Sequence, residues 1–122
     1  MPQRKWQNFE YSEFSCPCCG KNETSEKLIS LLDFIRNLIR TPMLVTSGYR
    51  CVERNKEAGG MPESAHLRGE AADIRCTDSK MRYLLVDTAL SVGFRRIGIS
   101  GKDGFVHLDI SKTRTSEVIW VY

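Results

Sequence analysis

The chain has only two histidines, His66 and His107, and each lies close to a carboxylate. His66 and Asp73 fall in Ser64-Ala65-His66-Leu67-Arg68-Gly69-Glu70-Ala71-Ala72-Asp73, while His107 and Asp109 fall in Phe105-Val106-His107-Leu108-Asp109. Two imidazoles and one carboxylate make a three-ligand set that leaves a fourth tetrahedral position on zinc open to water, the layout of a hydrolytic metal site. Taken singly, a histidine in a strand is more often a hydrogen-bonded structural residue than a ligand. The joint pattern is stronger, because Asp73 sits between Ala72 and Ile74 in what reads as a core strand. A carboxylate buried there needs a cation, a metal or several hydrogen-bond donors.

The elements that must hold these groups can be read from periodicity. Leu28, Leu31, Leu32, Ile35, Leu38 and Ile39 repeat at helical spacing, so a helix is expected over Ser25–Ile39, with Thr24 or Ser25 as its cap and Pro42 as its stop. A second amphipathic helix is expected over Ser79–Val92, capped by Thr77 or Asp78, facing the core with Met81, Leu84, Leu85 and Ala89, and ended by Gly93. A short helical segment spans Val52–Ala58, closed by Gly59-Gly60, and a loop then leads to His66 in a strand entry.

Strands are expected over Met43–Ser47 (buried), Ala71–Arg75, Arg95–Ile99, Phe105–Ile110 and Glu117–Tyr122 (an edge), with Ser100–Gly104 as a hairpin turn. The period of two places His107 and Asp109 on one face. Residues 1–20 read as an N-terminal arm pinned by Phe9, Tyr11 and Phe14 and ending in a cysteine-rich turn. The expected fold is a single α+β domain over 1–122, an antiparallel sheet with two main helices covering one face.

Composition narrows the function classes. A chain of 122 residues can bury a real core without disulfides, and it has no apolar run that approaches a bilayer span. The net charge of +3 is mild, and Lys and Arg are scattered without an aromatic-interleaved stripe, so neither membrane insertion nor a nucleic-acid interface is expected. Met1-Pro2-Gln3-Arg4-Lys5-Trp6 offers no apolar signal core, so the expectation is synthesis in the cytoplasm. The five cysteines, Cys16, Cys18, Cys19, Cys51 and Cys76, are odd in number, so at least one is unpaired in a monomer and a reducing compartment is the simpler reading. Cys16-Pro17-Cys18-Cys19-Gly20 is either a turn of small buried thiols or a structural metal clip or disulfide that recruits Cys51; its spacing matches no standard zinc ribbon.

One set of motifs resembles a known family. Ser47-Gly48-Tyr49-Arg50, Asn55, Gly59-Gly60, the Ser64-x-His66-x-x-Gly69-x-Ala71-x-Asp73 block and His107-x-Asp109 are similar to those of the zinc D-Ala-D-Ala carboxypeptidases. Relatives of that family include vancomycin-resistance dipeptidases, phage endolysin peptidases and the Hedgehog signalling domain. The resemblance runs from about Phe9 to Asp109, and the Cys-Pro-Cys-Cys-Gly turn and the Tyr49-Arg50-Cys51 ending resemble a subgroup common in phage and prophage genomes.

The resemblance implies a zinc metallopeptidase, monomeric and acting on peptidoglycan stem peptides at the cell wall, with His66, Asp73 and His107 as the zinc ligands. It implies that Arg50 binds substrate and stabilises the oxyanion and that Ser64 belongs to the binding cleft. Many relatives carry a catalytic acid three residues before the last histidine, where this chain has Gly104. Asp103, in the flexible turn, is then the expected general base. Asp109 is the second candidate, although a hydrogen bond that orients His107 suits it better. The departure at Gly104 also leaves open a non-catalytic zinc-containing binding module of the same fold.

Overall fold

The structure is a computed structural model that describes residues 5–122, so the first four residues of the expected arm lie outside the described residues. Helix α1 spans Glu26–Ile39 and buries Leu28, Ile29, Leu32 and Ile35. Ser25 occupies the cap position, but its side chain makes no cap hydrogen bond, and Arg40 turns left-handed to end the helix just before Pro42. Leu38, expected on the core stripe, is 55% exposed. Ile29 takes its share of the packing, so the buried stripe is rotated away from the helix end.

Helix α2 is short, Val52–Glu57, and α3 spans Ser79–Val92. The Asp78 carboxylate caps α3 by accepting from the Met81 backbone N–H at 3.0 Å, and Gly93 closes it in the left-handed conformation. Leu85 and Ala89 are buried and Met81 is partly so, whereas Leu84 faces solvent. The two long helices pack on each other as well as on the sheet.

Among the described residues the strands are β1 (Val45–Ser47), β2 (Ala71–Arg75), β3 (Arg96–Ser100), β4 (Phe105–Asp109) and β5 (Val118–Val121). They lie in the order β1-β2-β4-β3-β5, and the sheet is mixed rather than purely antiparallel: β5 pairs with β3 in parallel. The connection after β4 explains this. Asp109 ends β4 opposite Arg96, the first residue of β3, and Val118 starts β5 beside the same Arg96. The chain hops over the end of β3 instead of folding back on β4, and a short link suffices because no return along the sheet is needed. The strand expected to be buried at Met43–Ser47 is an edge; Met43 is buried but Leu44 is exposed.

Alternation gives the sheet two different faces. Ala72, Ile74, Ile97, Val106 and Leu108 point to the core shared with α1 and α3. The other face carries one continuous row, Asp73–His107–Gly98–Trp120, across β2, β4, β3 and β5. The arm closes the core from one side: Trp6, Phe9 and Phe14 are buried. Tyr11 is exposed in a 3₁₀ turn, Tyr11–Phe14, and reaches the Asn22 carbonyl through its hydroxyl at 3.1 Å.

Candidate metal centre

His66 does not sit in a strand entry. It lies in a 3₁₀ turn, Ala65–Arg68, and the local sequence dictates why. Ser64 Oγ accepts from the His66 backbone N–H at 3.2 Å, which starts the turn. Gly69 ends it at φ 69°, in contact so close that a Cβ would stand 2.0 Å from the Glu23 carbonyl oxygen. Only glycine combines that conformation with that approach. His107 and Asp73 are cross-strand partners on β4 and β2, both buried.

Three atoms converge. His107 Nδ1 is 2.9 Å from Asp73 Oδ1, His66 Nε2 is 3.3 Å from the same oxygen, and the two ring nitrogens are 3.3 Å apart. Hydrogen bonds on the far side of each ring fix the tautomers. His66 Nδ1–H donates to the Gly48 carbonyl at 2.7 Å, and His107 Nε2–H donates to Asp109 Oδ2 at 3.1 Å, since neither partner has a proton to give. What remains pointing inward is two imidazole lone pairs and a carboxylate oxygen.

Three acceptors at such distances need a cation or a proton between them. A tetrahedral zinc with bonds near 2.0–2.1 Å holds its ligand atoms about 3.3–3.4 Å apart, so the donor set and spacing fit that ion. The far-side partners, a backbone carbonyl and a carboxylate, are those that orient metal-binding histidines. Burial alone would lower the His107 pKa, but Asp109 and Asp73 outweigh it and hold the imidazole above its ordinary value. Burial would raise Asp73, yet the His107 and His66 imidazoles that face it hold it well below the usual carboxylate range. Asp109 is likewise lowered: burial opposes, and His107, the Ser111 N–H and Arg96 prevail.

Arg50 reaches the second oxygen of the same aspartate, with Nη2 at 3.3 Å from Asp73 Oδ2. Its Nε–H donates to Ser47 Oγ at 3.0 Å and Nη1 to Asn55 Oδ1 at 3.4 Å. Asn55 is itself buried, anchored by its amide to the Met61 carbonyl, and Gly60 lies so close that a Cβ would meet Asn55 Oδ1 at 2.1 Å. Arg50, Ser64, His66, Asp73, His107 and Asp109 therefore share one cleft of about 430 Å³, and Asp103 joins its wall as an exposed side chain.

The position three before His107 is unsuited to an acid. Gly104 is buried at φ 69°, and a Cβ there would meet the Thr77 methyl at 2.8 Å. Asp103 is the nearest residue in the turn with room for its side chain, and its backbone N–H is tied to Ser100 Oγ. Asp109 is committed elsewhere: Oδ1 accepts from the Ser111 N–H at 2.7 Å, and Oδ2 faces both His107 and Arg96 Nε, the latter at 3.2 Å. It is a partner of His107.

Sequence reasoning missed Trp120, Arg96 and Tyr122, all of which line the cleft. The Trp120 indole stands 5.2 Å from the His107 ring, centroid to centroid, with the Arg96 guanidinium 5.0 Å from the indole. The available signal was Gly98, a glycine inside a strand, which marks a close approach. A Cβ there would meet the Trp120 ring at 2.7 Å.

A family model described as Peptidase M15 matches residues 7–109. A search of curated proteins finds none that matches the sequence.

Proposed function

Because the chain belongs to the peptidase M15 family, we propose that it is a zinc metallopeptidase that hydrolyses peptidoglycan stem peptides, as a D-Ala-D-Ala carboxypeptidase or an endolysin-type endopeptidase. The observation that carries this reading is the meeting of three acceptor atoms from His66, Asp73 and His107 at the floor of an open cleft. Those residues would hold the ion. Zinc bound there would polarise the scissile carbonyl and acidify water.

The remaining chemistry belongs to the chain. Arg50, clamped by Ser47, Asn55 and Asp73, presents a fixed positive charge to the developing oxyanion or to a substrate carboxylate. One well-placed donor of that kind is worth about 10²–10³ in turnover. Asp103 takes the proton of the attacking water and returns it to the leaving amine. Ser64 and the Trp120 wall bound the groove in which the peptide lies. In this reading the site of action is the cell wall, and a single chain carries the whole centre.

The left-handed, close-packed Gly104 favours one competing reading, a zinc-containing binding module that has dispensed with the acid. Incubation of the zinc-loaded protein with purified muropeptides, read by mass spectrometry, separates the two. A product lacking the terminal D-Ala or split within the stem supports hydrolysis and reports which bond is cut. Retention of intact muropeptide on the protein without any product would sink the enzymatic reading.

A further inference from the structure

The cysteine-rich turn and the segment after Arg50 meet in space. Cys16 Sγ lies 3.5 Å from Cys18 Sγ and 3.6 Å from Cys51 Sγ, Cys18 and Cys51 are 3.1 Å apart, and Cys19 joins them so that all four sulfurs lie within 4.8 Å of one another. We propose that Cys16, Cys18, Cys19 and Cys51 bind a zinc ion of their own, a structural site separate from the cleft.

The geometry suits an ion better than a covalent bridge. A zinc with four thiolates at about 2.3 Å spaces its sulfurs about 3.8 Å apart, within reach of the present cluster by small side-chain rotations. A single disulfide would use two sulfurs and leave the other two unbridged, whereas one ion engages all four at once. Tetrahedral all-sulfur coordination is the signature of zinc or iron, and zinc needs no redox partner. The thiols ionise on binding and release their protons to solvent. Backbone donors are already aimed at the sulfurs: the Cys51 N–H at Cys16 Sγ and the Arg54 N–H at Cys51 Sγ, both at 3.5 Å. The turn itself is closed by the Gly20 N–H on the Cys16 carbonyl and the Cys16 N–H on the Lys21 carbonyl, both at 2.8 Å. Cys76 is buried elsewhere, with its thiol on the Asp78 carbonyl, so the odd count resolves into a set of four and one bystander.

The place of the cluster gives it a purpose. Cys51 follows Arg50 directly, the Tyr49 N–H donates to the Phe14 carbonyl at 2.8 Å, and a Cβ on Gly48 would stand 2.6 Å from that same oxygen. The clip therefore fastens the arm to the segment 48–51. That segment supplies both the carbonyl that orients His66 and the guanidinium that faces the cleft.

The test uses the native protein and two double variants. Elemental analysis should find about two zinc per chain, falling to about one in His66→Ala/His107→Ala and to about one in Cys18→Ser/Cys19→Ser. Cys18 and Cys19 are exposed, so an alkylating agent at alkaline pH reaches both when they are free thiols. With zinc bound, mass spectrometry of alkylated wild type should show them unmodified until a strong chelator is added. That measurement stands even if the serine variant fails to fold. Immediate alkylation of Cys18 and Cys19 with about one zinc per chain would overturn the proposal. So would protection released by reductant but not by chelator, which means a disulfide, or iron in place of the second zinc. Because the histidine variant reports this site independently, loss of the catalytic reading would leave the result intact.

Discussion

Asp109→Asn is the substitution whose consequence the structure resolves most sharply. The change preserves volume and removes one acceptor and the charge. Aspartate now accepts from the Ser111 N–H through one oxygen and from the His107 Nε2–H through the other. Asparagine has a single acceptor oxygen. If it stays on Ser111, the amide NH₂ confronts His107 Nε2–H, and relief requires the imidazole to move its proton to Nδ1, the atom that must offer its lone pair toward His66 and Asp73. If the amide flips, the Ser111 N–H is orphaned in a buried place, at about 1–3 kcal/mol.

Either way zinc affinity should fall about 10–100-fold, the usual effect of losing such a partner, which is about 1.4–2.8 kcal/mol. The metal-free fold should also weaken. Arg96, buried against Asp109, loses its counter-charge, and breaking a buried pair costs about 3–5 kcal/mol at most. Arg96 keeps the Trp120 face and the Thr115 carbonyl, so a value near 2–3 kcal/mol is expected. Competition against a chelator of known affinity gives the first number, and urea unfolding of the chelated protein gives the second. An Asp109→Asn protein that binds zinc as tightly as wild type yet has lost turnover would refute this reasoning and make Asp109 the proton-transfer group.

Asp103→Asn should keep zinc, since its side chain is outside the ligand set, while turnover falls about 10²–10⁴; full activity on muropeptides would remove Asp103 from the mechanism. Arg50→Lys keeps the charge but loses the planar fork that serves Ser47, Asn55 and Asp73 at once, so turnover should drop about 10²–10³ with only a small shift in melting temperature. Unchanged turnover would show that the guanidinium only braces Asp73. Gly98→Ala puts a methyl 2.7 Å from the Trp120 ring and should destabilise by about 1–3 kcal/mol in urea unfolding while leaving zinc content intact; a change below about 0.5 kcal/mol would mean that the indole yields freely.

The helices and most strands were legible because their signals are local. The stripe of α1, the Asp78 cap and Gly93 stop of α3, and the alternation around His107 and Asp109 all act within a few residues. The meeting of His66, Asp73 and His107 was legible through their motif, and Gly69 through the need for close approach. What escaped depends on partners distant in sequence. Nothing in Glu117–Tyr122 announces that the last strand joins β3 in parallel, because the deciding fact is where the previous strand ends. The helical turn at His66 was read as strand entry because Ser64 was weighed as a cleft residue and not as a cap. Arg96 reads as an ordinary surface arginine until Asp109 and Trp120 are seen beside it.

The parallel edge strand has a consequence for how this cleft could diversify. The match to the M15 family spans residues 7–109, and β5 lies beyond it. Its attachment to β3 is a ladder of backbone hydrogen bonds, which place no demand on side-chain identity beyond fitting over Gly98. Yet Trp120 and Tyr122 line the same cleft as His66, Asp73 and His107. On the proposed peptidase reading the tail is an interchangeable cassette: selection or a protein engineer can rewrite the groove wall there, trading one stem-peptide preference for another, while the body of the domain matched by the family stays as it is.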